Sequence, residues 1–281
     1  MRPAPFSYSK PESLAEVLHA VAGGAMPLAG GQSLIQSMRM RMQEPVAIVD
    51  INAVHELTDH IETTEHFVDI GALCTHRRLS ENTVIRQEFP WLAKAARDLG
   101  DVQVRNRGTV LGNLCWADPR ANMAVALLAS NAAIWAAGAK TELIPITEFF
   151  TGFRTTVLGP RLATSIRLIR DMNSIGTYLE FSRQKQDLAL CNVCVVHDDR
   201  GTCVSVGGIH QRPIRLSGLE RILNDPDSAI GDLSVQIRDT LRKPIFDPII
   251  DHHGEPAYKL HLAATLIERA INTCLRGGDR D

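Results

Sequence analysis

Several large functional classes are excluded by what this chain does not contain. Its 281 residues carry 30 Lys and Arg against 32 Asp and Glu, a formal net charge of −2. That leaves no basic excess to hold a nucleic-acid backbone or an anionic membrane face. There is no GxGxxG dinucleotide fingerprint, no P-loop lysine and no Ser–His–acid spacing. The opening Met1-Arg2-Pro3-Ala4-Pro5 has no apolar run of the secretory kind. The most apolar stretch, Met123 to Ala139, is interrupted by Ser130, Asn131 and Gly138 before it reaches the roughly 20 residues that span a bilayer. It reads as a buried helix followed by a strand. The six cysteines, Cys74, Cys115, Cys191, Cys194, Cys203 and Cys274, stand scattered among apolar neighbours. A chain of this length needs no disulfide staples, so they read as reduced thiols of a cytoplasmic protein. Cys191 and Cys194 form a CxxC, but a zinc or iron–sulfur site takes four ligands and only Cys203 is near. A buried strand with small side chains accounts for the pair.

The chain does contain two glycine-bearing turns, each ahead of a helical pattern. In the first, Pro27-Leu28-Ala29-Gly30-Gly31-Gln32-Ser33-Leu34, adjacent glycines let a ligand approach the backbone closely. Ser33 is placed to cap the helix opening at Leu34, whose free N–H groups favour an anion. The second, Arg105-Asn106-Arg107-Gly108-Thr109-Val110-Leu111-Gly112-Asn113-Leu114, leads to Asp118-Pro119, a cap and first-turn proline for a helix reaching about Ala129. An adjacent Gly-Gly before a helix is also an ordinary turn and cap. Together the two turns suggest opposite walls of one site.

The length fits two compact units or one large one. Ser13-Leu14-Ala15-Glu16 forms a capping box for a first amphipathic helix that Gly23-Gly24 stops. Met26 to Leu28 reads as a short strand, Leu34 to Met42 as a helix closed by Pro45, and Val46 to Ile51 as a strand covered on both faces. Short strands follow, including Phe67 to Gly71 and then Cys74 to Arg78, before a helix over Trp91 to Leu99. Ala132 to Ala137 and Thr141 to Ile146 pair as a hairpin across Gly138-Ala139-Lys140, and Leu162 to Ile169 is another strand. A boundary falls near Asp171-Met172-Asn173. Beyond it, Tyr178 to Arg183, Leu188 to His197 and Thr202 to Ile209 read as three antiparallel strands. Leu216 to Leu223, Ser228 to Leu241 and Ala257 to Leu275 read as helices. No repeat or low-complexity tract is present.

The words of the sequence resemble the medium, FAD-binding subunits of molybdenum-containing hydroxylases, the family of carbon monoxide dehydrogenase and of the flavin domain of xanthine dehydrogenase. The likeness covers essentially the whole chain. It runs through Leu28-Ala29-Gly30-Gly31-Gln32-Ser33-Leu34, Val49-Asp50-Ile51, Ile70-Gly71-Ala72 with Thr75-His76, and Gln103 to Thr109. It continues in Ala117-Asp118-Pro119, Phe149-Phe150-Thr151-Gly152-Phe153, Gly207-Gly208, Pro213-Ile214-Arg215 and Ala257 to Leu260. The resemblance implies an α+β fold: a two-lobed FAD-binding domain of the vanillyl-alcohol oxidase or PCMH type over residues 1–172, with lobes of about 1–54 and 55–172. A small C-terminal flavoprotein domain, 173–281, would add a three-stranded antiparallel sheet and a helix bundle.

It also implies cofactor contacts from Ala29, Gly30, Gly31, Gln32, Ser33 and Leu34 on one side, and from Thr109, Val110, Leu111, Gly112 and Asn113 on the other. Amides and hydroxyls converging in this way need neither Lys nor Arg to hold a diphosphate. Asn122 takes the place of an acidic cofactor-binding position, Leu162 that of an apolar contact, and Thr75 is a further candidate. By the same resemblance FAD sits on this chain. A molybdopterin cofactor belongs to a large partner subunit and [2Fe-2S] clusters to a small one, in a dimer of heterotrimers. No acid–base catalyst is expected here.

The chain departs from the family in four places. Leu111 replaces a glycine of the second turn, Asn122 a carboxylate, Gln184 an arginine, and Trp116 a histidine before Ala-Asp-Pro. Trp116 either shields the flavin or packs inside. His76, Arg77, Arg78, Arg105 and Arg107 either offset cofactor or partner charge or stand solvated and locally paired. Two other functions fit these words: a stand-alone flavin oxidase, and a flavin-free structural paralogue.

Overall fold

The computed structural model describes residues 2–227, 232–243, 246, 248, 250 and 254–276. The first lobe is β1 (Ser7–Ser9), α1 (Leu14–Ala22), β2 (Met26–Leu28), α2 (Leu34–Arg39) and β3 (Ala47–Asp50). The strands form a parallel sheet in the order β1-β3-β2. The Ser13 hydroxyl accepts from the Glu16 amide and caps α1, as its capping box dictates. The strand β2 delivers the chain directly into the first glycine turn at the sheet's end.

The second lobe opens with β4 (Ile61–Thr63), β5 (Phe67–Gly71), α3 (His76–Glu81), α4 (Thr83–Glu88), α5 (Pro90–Asp98), α6 (Val102–Arg107), α7 (Val110–Trp116) and α8 (Asn122–Ala129). It continues through β6 (Ala133–Ala137), β7 (Glu142–Pro145), α9 (Ile146–Phe149), β8 (Phe150–Gly152), β9 (Thr155–Thr156) and β10 (Leu162–Ile169). Its antiparallel sheet runs β4-β5-β10-β6-β7, and the expected hairpin is β6–β7, with Ala133 opposite Pro145. Every residue of α8 is buried, which explains why that stretch looked membrane-like. It is apolar all round because it is covered all round.

Beyond residue 171 come β11 (Ile175–Phe181), β12 (Cys191–Asp198), β13 (Gly201–Gly207), β14 (Ile214–Arg215), α10 (Ser217–Leu223), α11 (Leu233–Leu241) and α12 (Pro256–Arg276). The sheet has four strands, not three, in the order β11-β12-β13-β14. The expected start of α11 at Ser228 lies outside the described residues. The strand β12 is buried on both faces because it serves two cores. Cys194 and Val196 face the core around α8, while Cys191, Val193 and Val195 face the core under α11 and α12. Strand alternation therefore puts the two cysteines of the CxxC on opposite sides of the sheet, where they cannot share a metal.

Four local readings are corrected. Cys74 to Arg78 is not a strand: the Thr75 hydroxyl accepts from the Arg78 amide at 3.2 Å and starts α3 at His76. Asp118 does not cap α8. It closes a turn instead, with Ala121 N–H donating to the Asp118 carbonyl at 3.0 Å and Arg120 N–H to its carboxylate at 3.1 Å, and the helix begins at Asn122. Aspartate competes for nearby backbone in this way. Ser33 makes no side-chain cap and is itself in helical conformation. The second glycine turn is a helix–break–helix, α6 and α7 hinged at Gly108 and Thr109.

Candidate functional site

The two turns meet. Gly30 packs against the main chain of the second segment so tightly that a Cβ on it would fall 2.0 Å from the Arg107 carbonyl oxygen and 2.8 Å from the Gly108 Cα. Gly31 beside it has a φ of +72°, the left-handed conformation that glycine adopts without penalty. Between the turns opens a cavity of about 510 Å³, within the range of cofactor sites. Its walls include Ala29, Gly30, Gly31, Gln32, Ser33 and Leu34 on one side. Thr109, Leu111, Gly112 and Asn113 face them, and Leu162 closes the β10 side.

Three expected positions lie elsewhere. Val110 is fully buried in the core, its N–H spent on the Cys74 carbonyl at 2.9 Å. The Thr75 hydroxyl is occupied as the cap of α3. Asn122 belongs to a polar network at the junction with β11 and β12, away from the cavity walls. Its Nδ2 donates to Glu180 Oε2 at 2.7 Å, and Asn192 Nδ2 reaches its Oδ1 at 3.4 Å. An acidic residue there would face Glu180, so an amide suits this environment. Leu111 is accommodated as a buried residue in the first turn of α7, where a side chain meets no backbone strain.

The donor inventory defines what the cavity takes. Among the described residues, the main-chain N–H groups of Gly30, Gly31, Gln32, Ser33 and Leu34 have no protein acceptor, nor do those of Thr109 and Leu111. Thr109 caps α7 by accepting from Gly112 N–H at 3.1 Å, which orients that helix terminus. A buried Asn113 Oδ1 has no donor. Unpaired amides converging from two turns suit an anionic, oxygen-rich group. The unpartnered amide oxygen suits a hydroxyl or N–H of the same ligand.

Sequence reasoning missed the cavity's charges. His76 is fully buried in its wall, with Nδ1 lacking a partner. Burial, with the nearby Arg105 guanidinium, pushes its pKa down to about 3, so it is neutral near pH 7 and not a solvated cation. Arg154 and Arg161 also line the cavity, and no carboxylate or lysine does among the described residues. The expectation that no arginine is needed therefore meets two arginines at the wall. Arg161 is spent outward, on Glu142 at 2.6 Å, the Leu158 carbonyl at 2.9 Å and the Val157 carbonyl. Arg154 Nη2 donates to the buried Asp118 at 3.0 Å. Trp116 is half-buried on the wall, with the Arg154 guanidinium 5.4 Å from its ring, and not a core tryptophan. The sequence signal for Arg154 was slight: it directly follows the Phe149–Phe153 word.

All of these walls fall in a segment with known relatives. Residues 4–168 match the family described as FAD binding domain in molybdopterin dehydrogenase, and residues 176–274 match the CO dehydrogenase flavoprotein C-terminal domain. The chain is 31% identical to the glyceraldehyde dehydrogenase medium chain of Sulfolobus acidocaldarius, over 96% of this chain and 99% of that one. It is 29% identical to the carbon monoxide dehydrogenase medium chain of Hydrogenophaga pseudoflava, over 97% and 98%. A solved carbon monoxide dehydrogenase from the same organism superposes with a TM-score of 0.89 at 26% identity, covering 98% of this chain and 99% of that one. Quinoline 2-oxidoreductase from Pseudomonas putida 86 gives 0.88 at 25%, covering 99% of each. Fold and cavity thus define an FAD-binding oxidoreductase subunit. The chain belongs to the family of molybdopterin-dehydrogenase flavin domains, as a medium subunit of the carbon monoxide dehydrogenase type of molybdenum hydroxylase.

Proposed function

We propose that this chain is the electron-transferring flavin subunit of a multi-subunit molybdenum-dependent dehydrogenase. The observation that carries the reading is the convergence of two turns with unpaired amides on one cavity, within a chain of this family. The diphosphate of FAD lies against the amides of Gly30 to Leu34 and the capped end of α7. FAD, when bound, accepts and releases electrons, and the protein supplies position and electrostatics. Gly30 and Gly31 allow the close approach, Thr109 holds the α7 amides in direction, and Leu162 gives the rings an apolar surface. His76, packed against Gly108 at the second turn, stays neutral and offers no proton.

In this reading the substrate is oxidised at a molybdopterin cofactor on a large partner subunit. Electrons cross [2Fe-2S] clusters of a small partner subunit to reach this chain, then pass to a terminal acceptor. The assembly is a dimer of such heterotrimers in the cytoplasm, and the chain divides into a flavin domain, 1–172, and a C-terminal domain, 173–281. No helix among the described residues is long and apolar enough to cross a membrane.

The test is to purify the chain, titrate it with FAD, and identify what co-purifies with it. A bound flavin spectrum together with two partners, one carrying molybdopterin and one iron–sulfur, is expected. Protein that stays colourless in excess FAD would overturn the reading. Flavin reduced directly by an alcohol or aldehyde in the isolated chain would point to a stand-alone oxidase.

A further inference from the structure

We propose that Arg154 holds its guanidinium charge beside the flavin ring and so favours the reduced cofactor. This rests on the reading that the cavity holds FAD. Arg154 stands in the turn between β8 and β9 with a φ of +51°, a left-handed conformation that is strained for a non-glycine residue. Such strain persists where the surroundings over-determine it, and here they do. The guanidinium is 5.4 Å from the Trp116 ring and 5.3 Å from the Phe153 ring, and Nη2 is tied to the buried Asp118. The side chain is therefore fixed, with its guanidinium on the cavity wall. A fixed cation at the wall acts on whichever part of the dinucleotide lies beside it.

Position selects which part of the dinucleotide that is. Trp116 is the last residue of α7, so it lies roughly 9 Å along the helix from the capped end at 1.5 Å per residue. With the diphosphate at the glycine turns, Arg154 falls beside one of the two ring systems. Charge distinguishes them. Two electrons and one proton entering the flavin leave one negative charge on its ring, whereas adenine stays neutral. A preset cation in a cavity whose described walls hold no carboxylate is matched to the ring that becomes anionic. Exposure agrees: Phe153 is 48% and Val157 37% accessible, so this end lies near the surface, where electrons enter and leave.

The experiment compares the full-length wild-type chain with Arg154→Gln and Arg154→Lys. The two-electron midpoint potential of bound flavin is measured by dye-equilibrated reduction, and affinities for FAD and for ADP by titration. Arg154→Gln is expected to lower the potential by about 30 mV for each tenfold loss in relative affinity for reduced flavin, with ADP affinity unchanged. Arg154→Lys retains the charge and most of the potential. Arg154→Met, which keeps a stem between the two rings, gives the same reading if the glutamine variant does not fold. An unaltered potential in the Gln or Met variant overturns the proposal, and so does a fall in ADP affinity equal to the fall for FAD, which would place Arg154 at the adenosine end. Failure of the wild-type chain to bind flavin at all would overturn the FAD reading itself.

Discussion

Gly30 and Arg107 touch backbone to backbone, with no space for a methyl group between the Gly30 Cα and the Arg107 carbonyl. This contact joins the two turns. Gly30→Ala must push them apart, because the obstructing atoms are main chain and cannot rotate away. Overpacking of this kind costs about 1–3 kcal/mol. The expected result is a lowered unfolding temperature and FAD binding weakened at least tenfold by fluorescence titration. Wild-type affinity in the variant would show that the junction does not shape the site.

Thr109 has a smaller and separable role. Its hydroxyl accepts from Gly112 N–H, so Thr109→Ala is expected to cost about 1 kcal/mol of stability in urea unfolding. Thr109→Ser, which keeps the hydroxyl, should restore it. Equal losses in both variants would mean that the methyl group, not the cap, matters.

His76 makes stability depend on pH in a stated direction. Burial and the adjacent Arg105 depress its pKa to about 3 from 6.5. As pH falls below 6.5 the unfolded chain takes up a proton that the folded chain refuses, so stability declines from there toward pH 3. Between pH 7 and pH 5 this amounts to about 2 kcal/mol. Urea unfolding at the two values should show the loss in wild type and much less of it in His76→Gln. Parallel pH profiles would remove His76 as the cause.

Glu180 acts in the opposite sense. Burial raises its pKa despite the bonds it accepts from Tyr178 and Asn122 at 2.7 Å each. The folded chain then holds this proton at pH values where the unfolded chain has lost it, so stability falls as pH rises from the ordinary glutamate range through the raised value. Glu180→Gln keeps the acceptor oxygen and carries no charge. It is expected to be at least as stable as wild type at pH 8, with the difference closing near pH 4. A variant clearly weaker than wild type at pH 8 would mean that the ionised form is the one the network favours.

Much of the fold was legible because local chemistry decides it. The capping box at Ser13, the hairpin across Gly138 and the β10 strand from Leu162 to Ile169 stand where their residues put them. The misreadings share a cause. Asp118, Thr75 and Ser33 are small polar residues able to cap, turn or do neither, and which of these occurs depends on partners distant in sequence. Arg154, 36 residues from Asp118, is one such partner.

From the sequence alone came the family, the two glycine turns and the residues of those turns that face the cavity, because glycine conformation and helix-terminal amides are properties of short segments. Tertiary structure alone decided that Gly30 would rest on Arg107, that Asn122 would bond to Glu180 and leave the cavity, and that Arg154 would enter it. Those placements depend on which segments pack together. Side-chain desolvation and orientation exist only after packing, and the same residues carry no trace of them in an isolated segment.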